Sequence, residues 1–401
     1  MPFLPRLKSG ISWHVLMRDL QAIREACREE ADTRTPLALA TVVKVEGSAY
    51  RRPGARMLIY PDGRRIGSVS GGCLEADVVL RAQQVLATGE PAYVLYDMRV
   101  SNGDLIAELG CKGAVGILIE RTSRPEVHCS LRFLASFLET RGQGAQATVF
   151  RVEGVAPVQV GDRLLQRAQG AVHGTLDAPD LMPMLLPDLS ETMQSGQART
   201  RTLLFPEGSA EALFEPVVSP ISLRIFGAGQ DAVPLAAQAR GLGWQVTVID
   251  HRPTMLAPER FPGVTLRLAS RPEHLDALPA PDARTAAVLM SHNYVQDLSW
   301  LLHLLPSSLP YIGLLGPRKR AEQMRADLFR EGIVPEAALW ARLYSPAGLD
   351  LGSETPEEIA FAILGEIQAA LHGRSSGSLR ERKGPIHMPE PVFAVAPELA
   401  A

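Results

Sequence analysis

The sequence has little of what several classes of protein require. Its 401 residues include only four cysteines, too few and too scattered for a disulfide framework: Cys27, Cys73, Cys111 and Cys129. No apolar run reaches the ~18 residues of a membrane-spanning helix. The N-terminal residues mix charges and prolines where a signal peptide has its apolar core. The formal net charge is only −3, without a Lys/Arg-rich block. We therefore expect a cytoplasmic protein with reduced thiols and with no membrane or nucleic-acid partner.

What is present indicates packed globular domains. Apolar residues make up 46% of the chain and charged residues 21%, and the length suits two or three domains. The stretch PVVSP at 216–220 has the composition of a linker. We predict an N-terminal helix at 1–34, an α/β domain at 35–125, a degenerate copy of that domain at 126–218, a Rossmann-like domain at 221–373 and a flexible tail at 374–401.

The first α/β domain is predicted to be rich in strands. Its β-prone runs are 38–45, 56–60, 64–70, 92–97 and 114–120, and the turn PDG makes the second and third of them a hairpin. Residues 74–88 have helical apolar spacing, and Gly89 suits the end of that helix. The inner positions predicted for this helix are Leu74, Val78, Leu80, Val85 and Leu86.

A shift of 107 residues aligns the first domain with a second segment. Residues 40–47, ATVVKVEG, then match 147–154, ATVFRVEG, and several glycines at predicted turns coincide. In this alignment, residues 71–73 of the first copy, Gly-Gly-Cys, correspond to Ala178-Pro179-Asp180 of the second. We infer two copies of one unit, and the second does without the stretch GGC.

The third region alternates strands with helices, which predicts a parallel, doubly wound sheet. Its GAGQDA stretch at 227–232 is a G-x-G-x-x-A pattern between a strand and a helix. There Gly227 allows a tight turn and Gly229 lets a pyrophosphate approach the backbone. Asp250 ends the next strand, where an acid can bind a ribose hydroxyl. These features predict either a nucleotide site or a Rossmann scaffold that has lost its ligand.

Two further stretches of this region end apolar runs at the same edge of the predicted sheet. His292 follows the run AAVLM, where open α/β sheets hold ligands, although a local packing role is the alternative. Gly316 and Arg318 lie at a strand-to-helix junction that suits an anion, or else form a solvated basic turn. A capping box is predicted for the last helix of the region, from Thr355 to Glu358.

The first domain carries the thiol chemistry. Cys73 is expected in or just before the first turn of its helix, where the macrodipole favours a thiolate, and Gly71 and Gly72 allow a ligand to come close. Cys111 lies in a second glycine-rich loop, so the two sulfurs could converge on a soft ligand or on each other. Arg52 belongs to an arginine-rich loop that suits a phosphate, with a charged surface turn as the alternative. No catalytic motif is visible, so we expect a chain that is not an enzyme.

These motifs resemble the XdhC/CoxI family. The N-terminal domain resembles it through EGSAYRRPGARMLI, GSVSGGCLEADV and LGCKGAVGILIE, and the C-terminal region through IFGAGQDAVPLA, VTVIDHRP, MSHNYVQDL and YIGLLGPRKRAEQM. Members are accessory proteins of molybdenum hydroxylases such as xanthine dehydrogenase and carbon monoxide dehydrogenase. They bind molybdenum cofactor, protect it during sulfuration by a cysteine desulfurase and hand it to the apoenzyme.

The resemblance implies a dimeric cofactor chaperone. Its implied cofactor contacts are Arg52, Gly71, Gly72, Cys73, Glu75, Cys111, Gly227, Gly229, Asp250, His292, Gly316 and Arg318, with Cys73 as a ligand of molybdenum or of sulfur. Two alternatives stay open. One is an NAD(P)-dependent oxidoreductase that uses the Rossmann domain, and the other is a thiol redox module of Cys73 and Cys111.

Overall fold

A computed structural model describes residues 13–31, 35–99, 113–176, 178–271, 278–333, 337–381 and 383. The chain forms two compact units, and the described part of unit 1 ends at Ser219 while unit 2 covers Pro220–Lys383. The described part of unit 1 starts with helix α1, Trp13–Ala31, which lies within the helix expected at 1–34. Within the described ranges, no helix is both long and apolar enough to cross a membrane.

The first sheet of unit 1 is antiparallel and has five strands in the order β3-β2-β1-β5-β4. Its elements are β1 (Ala38–Gly47), β2 (Arg56–Ile59), β3 (Arg65–Gly67), α2 (Glu75–Thr88), β4 (Ala92–Asp97) and β5 (Gly113–Arg121). The predicted hairpin is confirmed as the β2–β3 pair. Helix α2 ends at Gly89 in the left-handed conformation, as its glycine predicts.

Helix α2 covers one face of this sheet. Its buried residues Val78, Ala82 and Val85 pack against strand residues such as Val42 and Ile117. The prediction that Leu80 faces inwards is wrong, since its side chain is 61% exposed. The reason is angular: Leu80 lies two residues from Val78, about 200° around the helix axis, and so points away from the sheet.

The second sheet of unit 1 repeats the strand order of the first, as β8-β7-β6-β10-β9. Its elements are α3 (Pro125–Glu139), β6 (Gln143–Val155), β7 (Arg163–Arg167), β8 (Val172–Gly174), a short 3-10 helix (Pro179–Leu181), α4 (Met182–Ser195), β9 (Arg199–Phe205) and β10 (Glu207–Val218). The strands are again antiparallel. The shared strand order supports the inference of two copies, while the predicted domain bounds stay a prediction.

Two buried ion pairs join the copies reciprocally. Arg56 of the first copy binds Glu215 of the second at 2.5 Å, and Arg163 of the second copy binds Glu120 of the first, with one contact at 3.1 Å. Each arginine also donates to a carbonyl two residues earlier, in both cases at 2.7 Å. Arg56 and Arg163 are 107 positions apart, the shift found in the sequence. The two copies are therefore connected by the same contact made twice, once in each direction.

Unit 2 is a parallel six-stranded sheet in the order β13-β12-β11-β14-β15-β16. Its elements are β11 (Ser222–Phe226), α5 (Ala232–Gly241), β12 (Gln245–Asp250), β13 (Leu266–Ala269), β14 (Thr285–Leu289), α6 (Tyr294–Leu304), β15 (Tyr311–Leu314), α7 (Arg318–Arg330), α8 (Ala337–Trp340), β16 (Leu343–Tyr344) and α9 (Pro356–Leu371). This order reverses direction between β11 and β14, which is the dinucleotide-binding arrangement. The predicted doubly wound sheet is confirmed.

Helices cover both faces of this sheet. Helices α5 and α9 pack on one face and α6 and α7 on the other, each over its own apolar cluster. Strands β11 and β14 are buried along their whole length, as expected for central parallel strands. The predicted capping box at the start of α9 is present, since Thr355 accepts from the Glu358 amide and Glu358 accepts from the Thr355 amide.

Candidate functional site

The Gly71-Gly72-Cys73 loop lies on the surface of unit 1, between β3 and α2. Residues 71–73 are exposed, and the Cys73 thiol is free. Helix α2 begins at Glu75, with Leu74 as its N-cap, so Cys73 precedes the first helical residue by two positions. The structure thus presents this sulfur to solvent rather than enclosing it among aliphatic side chains.

The two glycines of the loop have different functions. Gly72 has φ +116°, which side-chain-bearing residues rarely adopt, and no atom lies within 4 Å of the position that a Cβ would take. At Gly71 a Cβ would instead lie 3.4 Å from the Cγ atom of the Tyr50 ring. Gly72 therefore sets the path of the backbone, while Gly71 lets an aromatic ring lie against it.

The hydroxyl of Ser70, a residue that was not among the predicted site residues, forms hydrogen bonds with several groups of the loop. Ser70 Oγ accepts from the amides of Gly72 and Leu74, each at 3.1 Å, and from the Cys73 thiol at 3.6 Å. It donates to Glu75 Oε2, while the Ser70 amide donates to Glu75 Oε1 at 2.9 Å. The signal in the sequence is a serine directly before two glycines, with a glutamate five residues later.

Glu75 lies inside the protein rather than at the surface of the loop. Its residue exposure is 3%, and both carboxylate oxygens accept from Ser70. Burial raises the pKa of this carboxyl, but the hydrogen bonds from Ser70 and neighbouring amides together bring the pKa below its usual value. Glu75 is therefore a buried carboxylate that orients Ser70, and its contact with a cofactor stays a prediction.

The arginine-rich segment lies beside this loop. Arg51 donates to Ser68 Oγ at 3.0 Å and lies 3.8 Å from Asp19, and the Tyr50 ring lies beside the position that a Cβ of Gly71 would take. Arg52 is half-buried, and its guanidinium has no hydrogen bond or ion pair within the described residues. Of Arg51, Arg52 and Arg56 in this segment, Arg52 is thus the one available to an anion, because Arg51 binds Ser68 and Arg56 binds Glu215.

Two backbone donors of the loop are also available. In the part of the chain that the structure describes, the amides of Gly71 and Cys73 donate no hydrogen bond, whereas those of Gly72 and Leu74 bind Ser70. The loop therefore offers a free thiol and two free amides at one exposed position. Cys111, predicted to join this site, lies outside the described residues.

The glycine turn of unit 2 packs closely against the neighbouring strand. Gly227 has φ +115°, and a Cβ there would lie 2.6 Å from the carbonyl oxygen of Met290. A side chain at this position would have to displace the backbone of Met290 and Ser291, just after β14. At Gly229 a Cβ would lie 3.6 Å from the ring of His292, so the structure brings together Gly229 and His292 as predicted candidates.

His292 faces an acid of the same turn. Its Nε2 lies 2.9 Å from Asp231 Oδ2, and its φ of +57° is unusual for a residue with a side chain. Asp231 stands at the start of α5 but makes no capping bond there. The imidazole and the carboxylate thus flank the glycine turn, at the carboxyl ends of β11 and β14.

Asp250 is engaged within the protein on both oxygens. Oδ2 accepts from the Ala228 amide at 2.8 Å, and both oxygens accept from the Arg252 guanidinium at 3.0 Å. Burial raises the pKa of this carboxyl, but the Arg252 and amide hydrogen bonds bring the pKa below its usual value. A ribose hydroxyl would compete with these internal donors, so the predicted ribose contact of Asp250 stays a prediction.

The last candidate pair, Gly316 and Arg318, lies between the end of β15 and the start of α7. Gly316 has φ +126°, and Arg318 is exposed at the first position of α7. The sequence did not point to Arg320, whose guanidinium binds the buried Asp297 at 2.7 Å. Asp297 in turn accepts from the hydroxyl of Ser291 at 2.6 Å. This chain of contacts fixes the loop that carries His292.

No cluster of three or more His, Cys, Asp or Glu able to hold a metal occurs among the described residues.

Comparison with known proteins decides the family. A probable xanthine dehydrogenase subunit of Bacillus subtilis is 32% identical over 336 residues, which are 82% of this chain and 91% of that protein. The chain belongs to the XdhC and CoxI family. The family profile matches residues 31–97 and 137–204, one range in each copy of unit 1, and the profile of the XdhC Rossmann domain matches residues 223–367. The recognition made from sequence motifs is confirmed.

Two further relatives extend this family assignment. The molybdenum cofactor insertion chaperone PaoD of Escherichia coli K12 is 24% identical over 85% of this chain and 86% of its own length. A crystal structure described as a xanthine dehydrogenase from Bacillus halodurans has a TM-score of 0.69 and 25% identity, over 90% of this chain and 98% of that one. The XdhC fold described above is thus shared along nearly the whole chain.

Proposed function

We propose that this XdhC-family protein binds molybdenum cofactor in unit 1 and inserts it into the apoenzyme of a molybdenum hydroxylase. An accessory role for such enzymes is what its relatives support, since they include a cofactor insertion chaperone and a probable xanthine dehydrogenase subunit. The observation that carries the finer proposal is the exposed Cys73 thiol in a glycine loop with unengaged amides.

The residues of this loop fit the chemistry of the cofactor. Molybdenum cofactor is an anionic dithiolene with a phosphate, and it supplies the molybdenum centre at which the client oxidises its substrate. Cys73 offers a soft sulfur ligand, and the amides of Gly71 and Cys73 with the Arg52 guanidinium offer donors for negative charge. Gly72 leaves the loop open on the side where its Cβ would be.

The decisive experiment measures bound pterin. The protein is purified from a host that makes the cofactor, and pterin is detected by fluorescence after oxidation. We expect pterin with the wild-type chain and with Cys129→Ala, a half-buried cysteine of α3, and its loss with Cys73→Ala. Full pterin occupancy in Cys73→Ala would contradict the assignment of this sulfur.

Arg52 has a matched control in the same domain. We expect Arg52→Ala to lower pterin occupancy, because it removes the guanidinium that, within the described residues, has no hydrogen bond or ion pair. Arg65→Ala changes an exposed arginine of β3 and should leave occupancy unchanged. Equal occupancy in both variants would remove Arg52 from the site.

The proposal includes the partners that the resemblance implies. We expect a cytoplasmic homodimer that receives sulfur through a cysteine desulfurase and binds the hydroxylase apoenzyme. Sedimentation equilibrium tests the dimer, and co-purification with each partner tests the other contacts. A thiol redox module is the alternative, and it requires a disulfide between Cys73 and Cys111, which mass spectrometry of the oxidised protein would reveal.

Unit 2 has a second candidate function, the binding of a nucleotide. The close packing of Gly227 against Met290 and the reversal of strand order beside it support this, because both belong to dinucleotide-binding sheets. Titration calorimetry with NAD⁺, NADP⁺ and ADP tests it. Binding accompanied by turnover of a substrate would favour the oxidoreductase alternative, whereas heats equal to dilution with all three would leave unit 2 as a scaffold.

A further inference from the structure

The carboxylate of Asp250 has no acceptor position left for a ribose. An ionised carboxylate offers about four such positions, divided between its two oxygens. Oδ1 accepts from the amide and from Nε of Arg252, at 2.9 and 3.0 Å. Oδ2 accepts from the amide of Ala228 and from Nη2 of Arg252, at 2.8 and 3.0 Å. A ribose hydroxyl at this place can therefore donate to Asp250 only by displacing one of these donors.

Arg252 offers the opposite chemistry at the same place. Its guanidinium uses Nε and Nη2 for Asp250, and Nη1 makes no hydrogen bond within the described residues. The other pair of parallel N–H groups, one from Nη1 and one from Nη2, is thus left for a ligand. The side chain is 45% exposed, so a ligand can reach it. Such a pair of donors matches two oxygens of a phosphate.

The glycine turn contacts the same carboxylate, through the amide of Ala228. Arg260 fixes this turn, because its Nη1 donates to the Ala228 carbonyl at 2.9 Å and its Nη2 donates to the Gly229 carbonyl at 3.3 Å. In the part of the chain that the structure describes, the amides of Gly229 and Gln230 donate no hydrogen bond. The turn therefore keeps backbone donors for a pyrophosphate, while Arg252 keeps donors for a second anionic group at the ribose end.

We propose that the nucleotide site of unit 2 selects a ribose that carries a 2′-phosphate, and that Arg252 is the residue that recognises this phosphate. In dinucleotide-binding sheets, an acid at this position binds the free 2′-hydroxyl, whereas a nearby arginine accommodates a 2′-phosphate. Here the arginine occupies the acid and retains donors of its own, which favours NADP(H) over NAD(H). The inference rests on the nucleotide function proposed for unit 2, and it is independent of cofactor binding in unit 1.

Titration calorimetry of the wild-type chain at physiological ionic strength tests the selection. We expect NADP⁺ to bind about tenfold or more tightly than NAD⁺, and 2′,5′-ADP to exceed 5′-ADP by a similar factor, the range of a hydrogen bond to a charged group. The isomer 3′,5′-ADP carries the same charge and should bind more weakly than 2′,5′-ADP. Equal affinities for NADP⁺ and NAD⁺, or tighter binding of 3′,5′-ADP, would overturn the proposal.

Arg252→Gln tests the residue. This variant removes the guanidinium and leaves acceptor positions of Asp250 open, so we expect the affinity for NADP⁺ to fall about tenfold and the affinity for NAD⁺ to hold or rise. A loss of structure alone would weaken both ligands together. Arg330→Gln changes an exposed arginine at the end of α7 and should keep the wild-type preference. An unchanged preference in Arg252→Gln would overturn the role of Arg252.

The selectivity and the nucleotide function of unit 2 fail in different ways. Equal binding of NADP⁺ and NAD⁺ would overturn the selectivity and leave nucleotide binding in place. Heats equal to dilution with every nucleotide would overturn both. Neither result bears on the pterin measurements, which test unit 1.

Discussion

Removing one partner of a buried ion pair in unit 1 should lower the free energy of unfolding far more than replacing both partners by apolar residues. In Arg163→Met, the carboxylate of Glu120 stays buried, with an exposure of 0%, and loses Arg163, the source of both of its hydrogen bonds within the described residues. In the double variant with Glu120→Leu, neither charge is left. The comparison separates the cost of an orphaned charge from the net value of the pair.

The magnitude follows from burial. Removing one partner of a buried pair costs about 3–5 kcal/mol, whereas replacing both by apolar groups is often neutral or stabilising. We therefore expect Arg163→Met to lower the free energy of unfolding by about 3–5 kcal/mol, with the double variant closer to the wild type. Arg56→Met should cost less than Arg163→Met, because Glu215 still accepts from Gln146 at 2.9 Å.

Urea unfolding followed by far-UV circular dichroism measures these differences, and hydrogen exchange of peptides from β1 and β6 locates them. The expected order of stability loss is Arg163→Met, then Arg56→Met, then the double variant. A loss below about 1 kcal/mol in Arg163→Met, the range of exposed pairs, would refute the view that these charges are buried between the copies. A double variant as unstable as Arg163→Met would refute the orphaned charge as the cause.

Three other predictions concern single positions. Gly227→Ala should lower the free energy of unfolding by about 2 kcal/mol or more, because its Cβ would lie 2.6 Å from Met290. Thermal unfolding tests this, with Gly241→Ala, where a Cβ meets nothing within 4 Å, as the control. The pKa of Asp250 is lowered in the folded state, so its charge contributes stability above the unfolded pKa of about 3.9 that is lost as pH falls through the folded pKa. The melting temperatures of wild type and Asp250→Asn should therefore converge in acid, and a gap independent of pH would contradict this. Burial raises the pKa of Cys27 to about 11, so native-state alkylation should be far slower at Cys27 than at Cys73; equal rates, measured by mass spectrometry, would show that Cys27 is not buried.

Local features of this chain could be predicted from sequence, because their causes are local. The β2–β3 hairpin follows from a PDG turn between alternating residues, and the end of α2 follows from Gly89. The turn at Gly227 follows from a strand, two glycines and a helix in order. Each of these signals spans a few residues, so the turns and helix ends of the separate segments could be predicted from the sequence.

Contacts between distant residues were not predictable in the same way. Arg56 belongs to an arginine-rich loop that suggested a phosphate site, yet its partner is Glu215, 159 residues away in the other copy. Asp250 occupies the position of a ribose-binding acid, yet Arg252 and the Ala228 amide take its oxygens. In both cases the residue type indicates the kind of contact, an arginine with an anion and a carboxylate with hydrogen-bond donors. Only the folded structure shows which group is the partner.

The two copies of unit 1 separate what the scaffold needs from what a ligand needs. Arg56 and Arg163 occupy equivalent positions and make the same hydrogen bond to a carbonyl two residues earlier. Both copies therefore retain the arginine that joins one copy to the other. Gly71, Gly72, Cys73 and Glu75 are replaced at the positions 107 residues on by Ala178, Pro179, Asp180 and Met182.

This replacement is more than a loss of one thiol. Proline fixes φ near −65°, so Pro179 cannot adopt the +116° of Gly72, and the second loop starts a 3-10 helix instead. The second sheet nevertheless has the strand order of the first. A loop path, a thiol and a buried glutamate that one copy dispenses with are not required by the sheet, and this is the strongest structural reason to assign them to a ligand.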